Sequence, residues 1–427
     1  METYTYPKST ELFERALKVI PAGIYGHLGP AEGCFIPVSS YPLYLDRAEK
    51  SHFWDVDGNR FIDYMCAYGP NIMGYNDPDV NAAAIEQMKK ADCGVLPTER
   101  MVELAELLTD TIEGADWAFF AKNGGDVTNL AVLTAKAATG RDKVLMHYGG
   151  YHGVAQWMQH PDYAGISKSD TANVIYSTFG DFTSIKQAVA ENRGEIACLI
   201  TTPYHHPITE DNRIAPEGYW QKVRNLCTQE GIVLIFDDVR CGFRISTKGS
   251  SHFFGADADL QCYCKALANG WNISALVGKE ELKNAAADVF CTGSYWLSAV
   301  PMAAAITNIK KMRDIDIAKV CLEKGKKLTD GLKEVAKANE FELVVSGEPS
   351  MWFMRTSRFR DRVDDNFMLH QAFVGECVRR GVFFTNHHNQ FINASLTDED
   401  IDYTLQVADE AYKAVSRRVN DILGKGF

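Results

Sequence analysis

Val233-Leu234-Ile235-Phe236-Asp237-Asp238-Val239 is an apolar run that stops abruptly on two carboxylates. Its hydrophobic content and β-branched residues predict a strand buried on both faces, as in the middle of a parallel sheet. Downstream, Gln261-Cys262-Tyr263-Cys264-Lys265-Ala266-Leu267-Ala268-Asn269-Gly270 sets a single lysine among small and apolar neighbours. A carboxylate at the end of a buried strand and an isolated lysine are the two groups that a pyridoxal phosphate site requires. The lysine forms a Schiff base with the cofactor, and the carboxylate keeps the pyridine nitrogen protonated so that the ring draws electrons. On these two residues alone, a strand-end Asp that caps a helix and a surface Lys remain an open alternative.

Two glycine-bearing turns add to the pair. Asn123-Gly124-Gly125-Asp126 follows the apolar run Trp117-Ala118-Phe119-Phe120 and opens a helical segment expected over Thr128 to Thr139, closed by Gly140. Glycines between a strand and a helix start let backbone N–H groups approach a phosphate at the positive end of the helix. Gly149-Gly150-Tyr151-His152-Gly153 then embeds an aromatic residue in glycines, where Tyr151 can lie face-on against a flat heteroaromatic ring. Taken singly, each turn also reads as a plain chain reversal, the second with a half-buried Tyr.

The wider pattern is α/β. Strand-like runs at Lys143-Val144-Leu145-Met146, Ile196 to Ile200 and Val233 to Phe236 alternate with helical stretches, which predicts a mostly parallel sheet covered on both faces. Ligands of such sheets gather outside the carboxyl ends of the strands, where Asp237 falls. A helix is expected over Ser9 to Ile20, ending at Pro21. After about residue 310 a basic helical stretch (Ile309 to Lys337) leads to Phe341-Glu342-Leu343-Val344-Val345 and a last helical run, Asp398 to Leu423, read as a smaller α+β domain.

Composition narrows the functional class. The 427 residues carry a net charge of −12, which argues against nucleic acid or an anionic membrane as partner. Eleven Cys are scattered without C-x-x-C spacing, as in a protein with reduced thiols. The amino terminus lacks an apolar signal core, and no apolar run is long enough to span a bilayer, so a cytoplasmic location is expected. His205-His206 and His387-His388 are not expected to bind metal, since adjacent residues on a strand face opposite ways and no third ligand has recognisable spacing.

Further stretches complete a pattern over nearly the whole chain. They are Ile20-Pro21-Ala22-Gly23, Trp54-Asp55-Val56-Asp57-Gly58-Asn59-Arg60-Phe61-Ile62-Asp63-Tyr64, Gly69-Pro70 with Gly74-Tyr75-Asn76-Asp77-Pro78, Thr139-Gly140-Arg141, Asp237 to Arg244 and Thr397-Asp398-Glu399-Asp400-Ile401. In this order they resemble the class III (subgroup II) aminotransferases, and within them the glutamate-1-semialdehyde aminomutase branch. The resemblance implies the PLP-dependent transferase fold type I, with a large domain over residues 61–310, a small domain over 311–427, and residues 1–60 packing beside the small one. It also implies pyridoxal 5'-phosphate as cofactor, with Lys265 as its covalent anchor and proton carrier and Asp237 on the pyridine nitrogen. Val239 would press on one side of the ring and Tyr151 cover the other, while Asn123, Gly124 and Gly125 form the phosphate loop. Ser294, with Thr292 as fallback, would reach the phosphate of a neighbouring subunit, which makes the active site a property of a homodimer. A hydroxyl capping the helix through Ala303 is the competing reading of Ser294.

Departures from the family pattern bear on the substrate. Gly29 and Gly26 stand where the aminomutases and the β-amino-acid aminotransferases carry an Arg for the substrate carboxylate. A bidentate Arg–carboxylate pair is hard to replace. The segment Thr385 to Phe391 is shorter than in the aminomutases and lacks their gating glutamate. The expected reaction is therefore transfer of an amino group from an amine without a free carboxylate near the reacting carbon, such as a β-aminoacyl-CoA thioester, to a keto acid such as 2-oxoglutarate. An aminomutase, a β-amino acid aminotransferase and a non-catalytic cofactor-binding protein are the alternatives. Tyr25, His27, Tyr68, Tyr204, His205, His206, His387 and His388 are candidate pocket residues. The arginines of Arg355 to Arg362 are candidates for a nucleotide phosphate, and Arg240 and Arg244 for the acceptor carboxylates.

Overall fold

The computed structural model describes residues 2–24, 40–207, 210–358 and 363–424. Its centre is a seven-stranded sheet: β1 (Trp117–Ala121), β2 (Lys143–His147), β3 (Val174–Ser177), β4 (Ile196–Thr201), β5 (Val233–Asp237), β6 (Leu260–Tyr263) and β7 (Ser274–Gly278), in the order β1-β7-β6-β5-β4-β2-β3. β2 through β6 run parallel, and β7 lies antiparallel between β6 and β1. The opening stretch of sequence thus forms β5, in the middle of the sheet. All its residues are buried.

Alternation along β5 decides where its carboxylate points. Val233 and Ile235 join the core shared with Val127, Leu130 and Ala131 of helix α1 (Gly124–Thr139), whereas Leu234 and Phe236 pack with Trp220 and Val223 on the opposite face. Each such side chain contributes about 1.5–3 kcal/mol on burial. The period of two then places Asp237, and Val239 beyond it, on the α1 side.

The N- and C-terminal parts are interleaved. Strands Leu45–Glu49, His52–Asp55 and Arg60–Asp63 form a sheet completed by Val382–Phe383, with Ile62 opposite Val382 and Asp63 opposite Phe383. A three-stranded antiparallel sheet of Phe341–Ser346, Met351–Arg358 and Gln390–Phe391 packs against helices α3 (Ile317–Ala338) and α4 (Asp398–Ser416). One hydrophobic core joins these elements to Leu104, Phe120 and Val277 beside the large sheet.

Several sequence expectations shift at the element ends. The first helix is Pro7–Ala16 and stops before the expected Ile20. The basic stretch is split into α2 (Ala299–Asp314) and α3 by Asp316, which has φ +49°. The last helical run breaks after Ser416 and resumes at Val419. Periodicity passes through such breaks because a one-residue change of φ leaves the apolar spacing on either side intact. No described helix is long and apolar enough to cross a membrane.

Candidate active site

Asp237 ends β5 almost fully buried, and both of its oxygens are held. Oδ2 accepts from His152 Nδ1 at 2.7 Å, and Oδ1 accepts from the Val239 N–H at 3.1 Å. The first contact requires a proton on Nδ1, since a carboxylate only accepts. His152 is itself fixed by its backbone, because Thr128 Oγ1 of α1 donates to the His152 carbonyl at 2.6 Å. A strand end, a glycine turn and a helix are thereby tied at one point.

The glycine turns meet there. Helix α1 begins at Gly124 rather than Thr128, so the glycines form its first turn, where backbone donors have no intrahelical partner. The Asp126 carboxylate takes up the N–H groups of Asn123 (2.7 Å) and Lys122 (3.2 Å), which leaves the glycine N–H groups as the open donors of this turn. Space is tight. A Cβ on Gly124 would lie 2.8 Å from Val239, and one on Gly153, whose φ is +126°, would lie 2.7 Å from the Gly125 Cα. The cradle accepts a flat or anionic group beside bare backbone and no side chain of its own. Tyr151 stands beside it, 51% exposed.

Lys265 follows β6 in the connection to β7, as the first residue of the short 3-10 helix Lys265–Ala268. Its φ of +32° is a conformation that non-glycine residues rarely adopt, and such strain persists only where the surroundings impose it. Part of the side chain stays accessible, which a reagent needs, yet protein surrounds it. Burial, and then the Arg240 guanidinium, pull its ammonium down to about 7. His206 and His388 are held well below the usual imidazole range by burial, with Arg240 as the next cause for each. Arg240 is therefore the leading cation acting on Lys265, with the imidazoles of His206 and His388 held neutral beside it.

Other sequence candidates divide. Tyr68 and His388 come together, their rings 5.3 Å apart and edge-on. Tyr204 is instead consumed by the framework: its hydroxyl donates to the Met351 carbonyl and accepts from Asn212 and from the Glu348 N–H. His205 stacks on Phe179 at 4.8 Å, on the other side from His206. Arg244 is fully buried, with Nη1 donating to the Ile392 carbonyl at 2.7 Å and Nη2 to that of Gly69 at 2.5 Å, so it is not free for a substrate. Arg355 is paired with Asp211 at the surface (2.8 Å). Ser294 and Thr292 are exposed; α2 begins only at Ala299, so Ser294 does not cap it, and Asp92 supplies that cap through the Val300 N–H at 3.0 Å. Tyr25, His27, Gly26, Gly29 and residues 359–362 lie outside the described residues. No cluster of three His, Cys, Asp or Glu side chains suited to a metal occurs among the described residues. A cavity of about 740 Å³ lined by Arg244, Lys248 and Arg313 contains neither Lys265 nor Asp237.

Sequence reasoning missed His152 and Asn389 as parts of this site. His152 was legible only as the neighbour of Tyr151, and Asn389 only as a member of a segment of altered length.

Known proteins are similar to this chain over most of its length. Residues 36–411 match the model of the family described as aminotransferase class-III. An aminopentol aminotransferase of Sphingopyxis macrogoltabida is 38% identical over 410 residues, covering 96% of this chain and 95% of the relative. A 3-aminobutyryl-CoA aminotransferase of Cloacimonas acidaminovorans is 32% identical over 412 residues, covering 96% and 98%. The solved structure of the FumI protein of Sphingopyxis sp. MTA144, in its PLP internal aldimine form, superposes with a TM-score of 0.91 at 38% identity, covering 96% of this chain and 97% of that one. With a lysine, a strand-end carboxylate and a glycine cradle gathered at one sheet end, the chain belongs to the class III aminotransferases, pyridoxal phosphate enzymes of fold type I.

Proposed function

We propose that this aminotransferase takes its amino group from an amine that carries no free carboxylate beside the reacting carbon, and delivers it to a keto acid. The supporting observation is that, Arg240 apart, the side chains gathered near Lys265 are neutral: His206 and His388 are held well below the usual imidazole range, and Tyr68 faces His388. The absence of Arg at positions 26 and 29 points the same way. So do the names of two relatives, an amino alcohol and a β-aminoacyl thioester serving as substrates there.

The residues fit the cofactor's parts. Lys265 would hold the aldehyde carbon through Nζ, Asp237 would pair with the pyridine nitrogen, and Gly124 and Gly125 with Asn123 would receive the phosphate. Val239 would bear on one side of the ring and Tyr151 on the other. When bound, pyridoxal phosphate supplies a sink for the electron pair left as a substrate proton departs. The chain's own work is to hold and move protons. An amine near pKa 7 is neutral for part of the time at physiological pH, so Lys265 Nζ could take a proton from the substrate carbon and deliver it to the cofactor carbon, the shift that turns an amine into a ketone. His152, through its hydrogen bond to Oδ2, would keep the Asp237 carboxylate aimed at the ring nitrogen. Ser294, with Thr292 near it, would extend to the cofactor phosphate of a second copy, and the exposed Phe290 (96%) and Val95 (95%) are the kind of surface such a copy covers.

A half-reaction screen tests the reading. The visible cofactor band of the purified enzyme is followed against α-amino acids, β-amino acids, amino alcohols, β-aminoacyl thioesters and simple amines, without a keto acid. Bleaching with stoichiometric ketone release is expected for the last three classes. Free α-amino acids reacting at least as fast would overturn it, and continuous turnover of a single amine would instead mark an aminomutase.

A further inference from the structure

Arg240 is a buried cation that meets no anion among the described residues. It is 9% exposed, and no described carboxylate forms an ion pair with it; Asp237 is the largest opposing charge it feels, but at a distance. Its named partners are neutral: Nη1 donates to the Asn389 Oδ1 at 3.0 Å and to the His206 Nδ1 at 2.9 Å. The second contact needs His206 Nδ1 unprotonated, in agreement with its depressed basicity. Asn389 is braced in turn, donating to Asn212 Oδ1 at 2.9 Å, and Asn212 donates to the Tyr204 hydroxyl at 2.9 Å.

Such a guanidinium is positioned from elements distant in sequence and opposes the charge on Lys265, while burial pulls it down to about 10. A charge removed from water and met only by neutral acceptors is costly unless an anion arrives during function. Arg244, which shares its loop, is also buried among neutral acceptors, but both of its terminal nitrogens are committed to the Ile392 and Gly69 carbonyls, and only its buried Nε lacks a partner among the described residues. We infer that Arg240 binds the carboxylate of the keto-acid acceptor beside Lys265, with His206 and Asn389 fixing the guanidinium for it. This rests on the proposed reading that the amine donor has no carboxylate to offer. One pocket then serves two unlike substrates: an uncharged chain passes the imidazoles, and an acid is registered by the fork of the arginine.

The test compares acceptors in the wild-type holoenzyme and in Arg240→Met and Arg240→Lys. For each, kcat/KM for pyruvate and 2-oxoglutarate is divided by that for butanal, which has no carboxylate. The ratio is expected to fall about 100-fold or more in R240M and by less in R240K, which keeps the charge and loses the fork. Competition by propanoate against propanamide gives a second readout that needs no turnover; the preference for propanoate is expected to vanish in R240M. If R240M does not fold, R240K and wild-type propanoate competition carry the test. An unchanged ratio in a folded variant overturns the inference. So does a variant whose visible band titrates differently while its acid preference is intact, because the guanidinium then serves the cofactor. Failure of the donor reading shows separately, as fast bleaching by α-amino acids in the wild type.

Discussion

Lys265 is held in a setting that changes its acid–base behaviour. Water normally keeps an ammonium charged to well above pH 10. Here burial, with Arg240 nearby, disfavours the cation and brings the value to about 7. Below that pH the amine of the cofactor-free protein is protonated and is no nucleophile; above it the lone pair is free. The rate at which apoenzyme captures pyridoxal phosphate, read from the growth of the visible band, is therefore expected to climb between about pH 6 and 8 and then level off. A rate still rising steeply above pH 9 would mean an ordinary lysine. The neighbouring Arg244 shows the opposite use of the same residue type: its fork is closed on the Ile392 and Gly69 carbonyls and ties the large sheet to the C-terminal segment.

At the scale of elements, the site is made by a strand end, a helix start and a glycine turn in van der Waals contact. β5 delivers Asp237 on the α1 face, α1 presents the N–H groups of its first turn, and the turn at Gly153 lies against Gly125. Gly153→Ala tests whether that contact matters. The added Cβ would face a backbone atom at 2.7 Å, at a φ of +126° that L residues avoid. One side must move, and the displaced one is the helix start. The substitution is expected to cost about 1–3 kcal/mol of stability and to weaken cofactor retention about tenfold or more. Melting temperature and equilibrium titration of the band check the two effects. Retention equal to wild type would show that the glycine turn is structural only.

For the whole molecule, Phe290, Val95, Leu96 and Tyr295 are large apolar side chains left mostly in solvent, the kind of surface a second copy covers. If the enzyme is the proposed homodimer and Ser294 of a second copy completes the site, Phe290→Asp is expected to shift it toward monomer in sedimentation and to lower cofactor retention. A dimer that persists with full retention would place the contact elsewhere. The family, the cofactor, the strand bearing Asp237 and the position of Lys265 were all legible in the linear order of residues. Buried strands, glycine turns and an isolated lysine leave local signatures that do not depend on what packs against them. Helix ends were less so, as at Gly124 and Asp316, since one dihedral angle changes them without altering the apolar spacing. What the chain order left open was the fate of polar side chains whose partners are distant in sequence. Arg240 and Arg244 are four positions apart and alike on paper. Tertiary packing closes one on backbone carbonyls and leaves the other beside Lys265 among neutral acceptors, and His152 and Asn389 acquire their roles in the same way. Hydrogen bonds across such separations exist only once the sheet, the glycine turn and the C-terminal segment have been brought together.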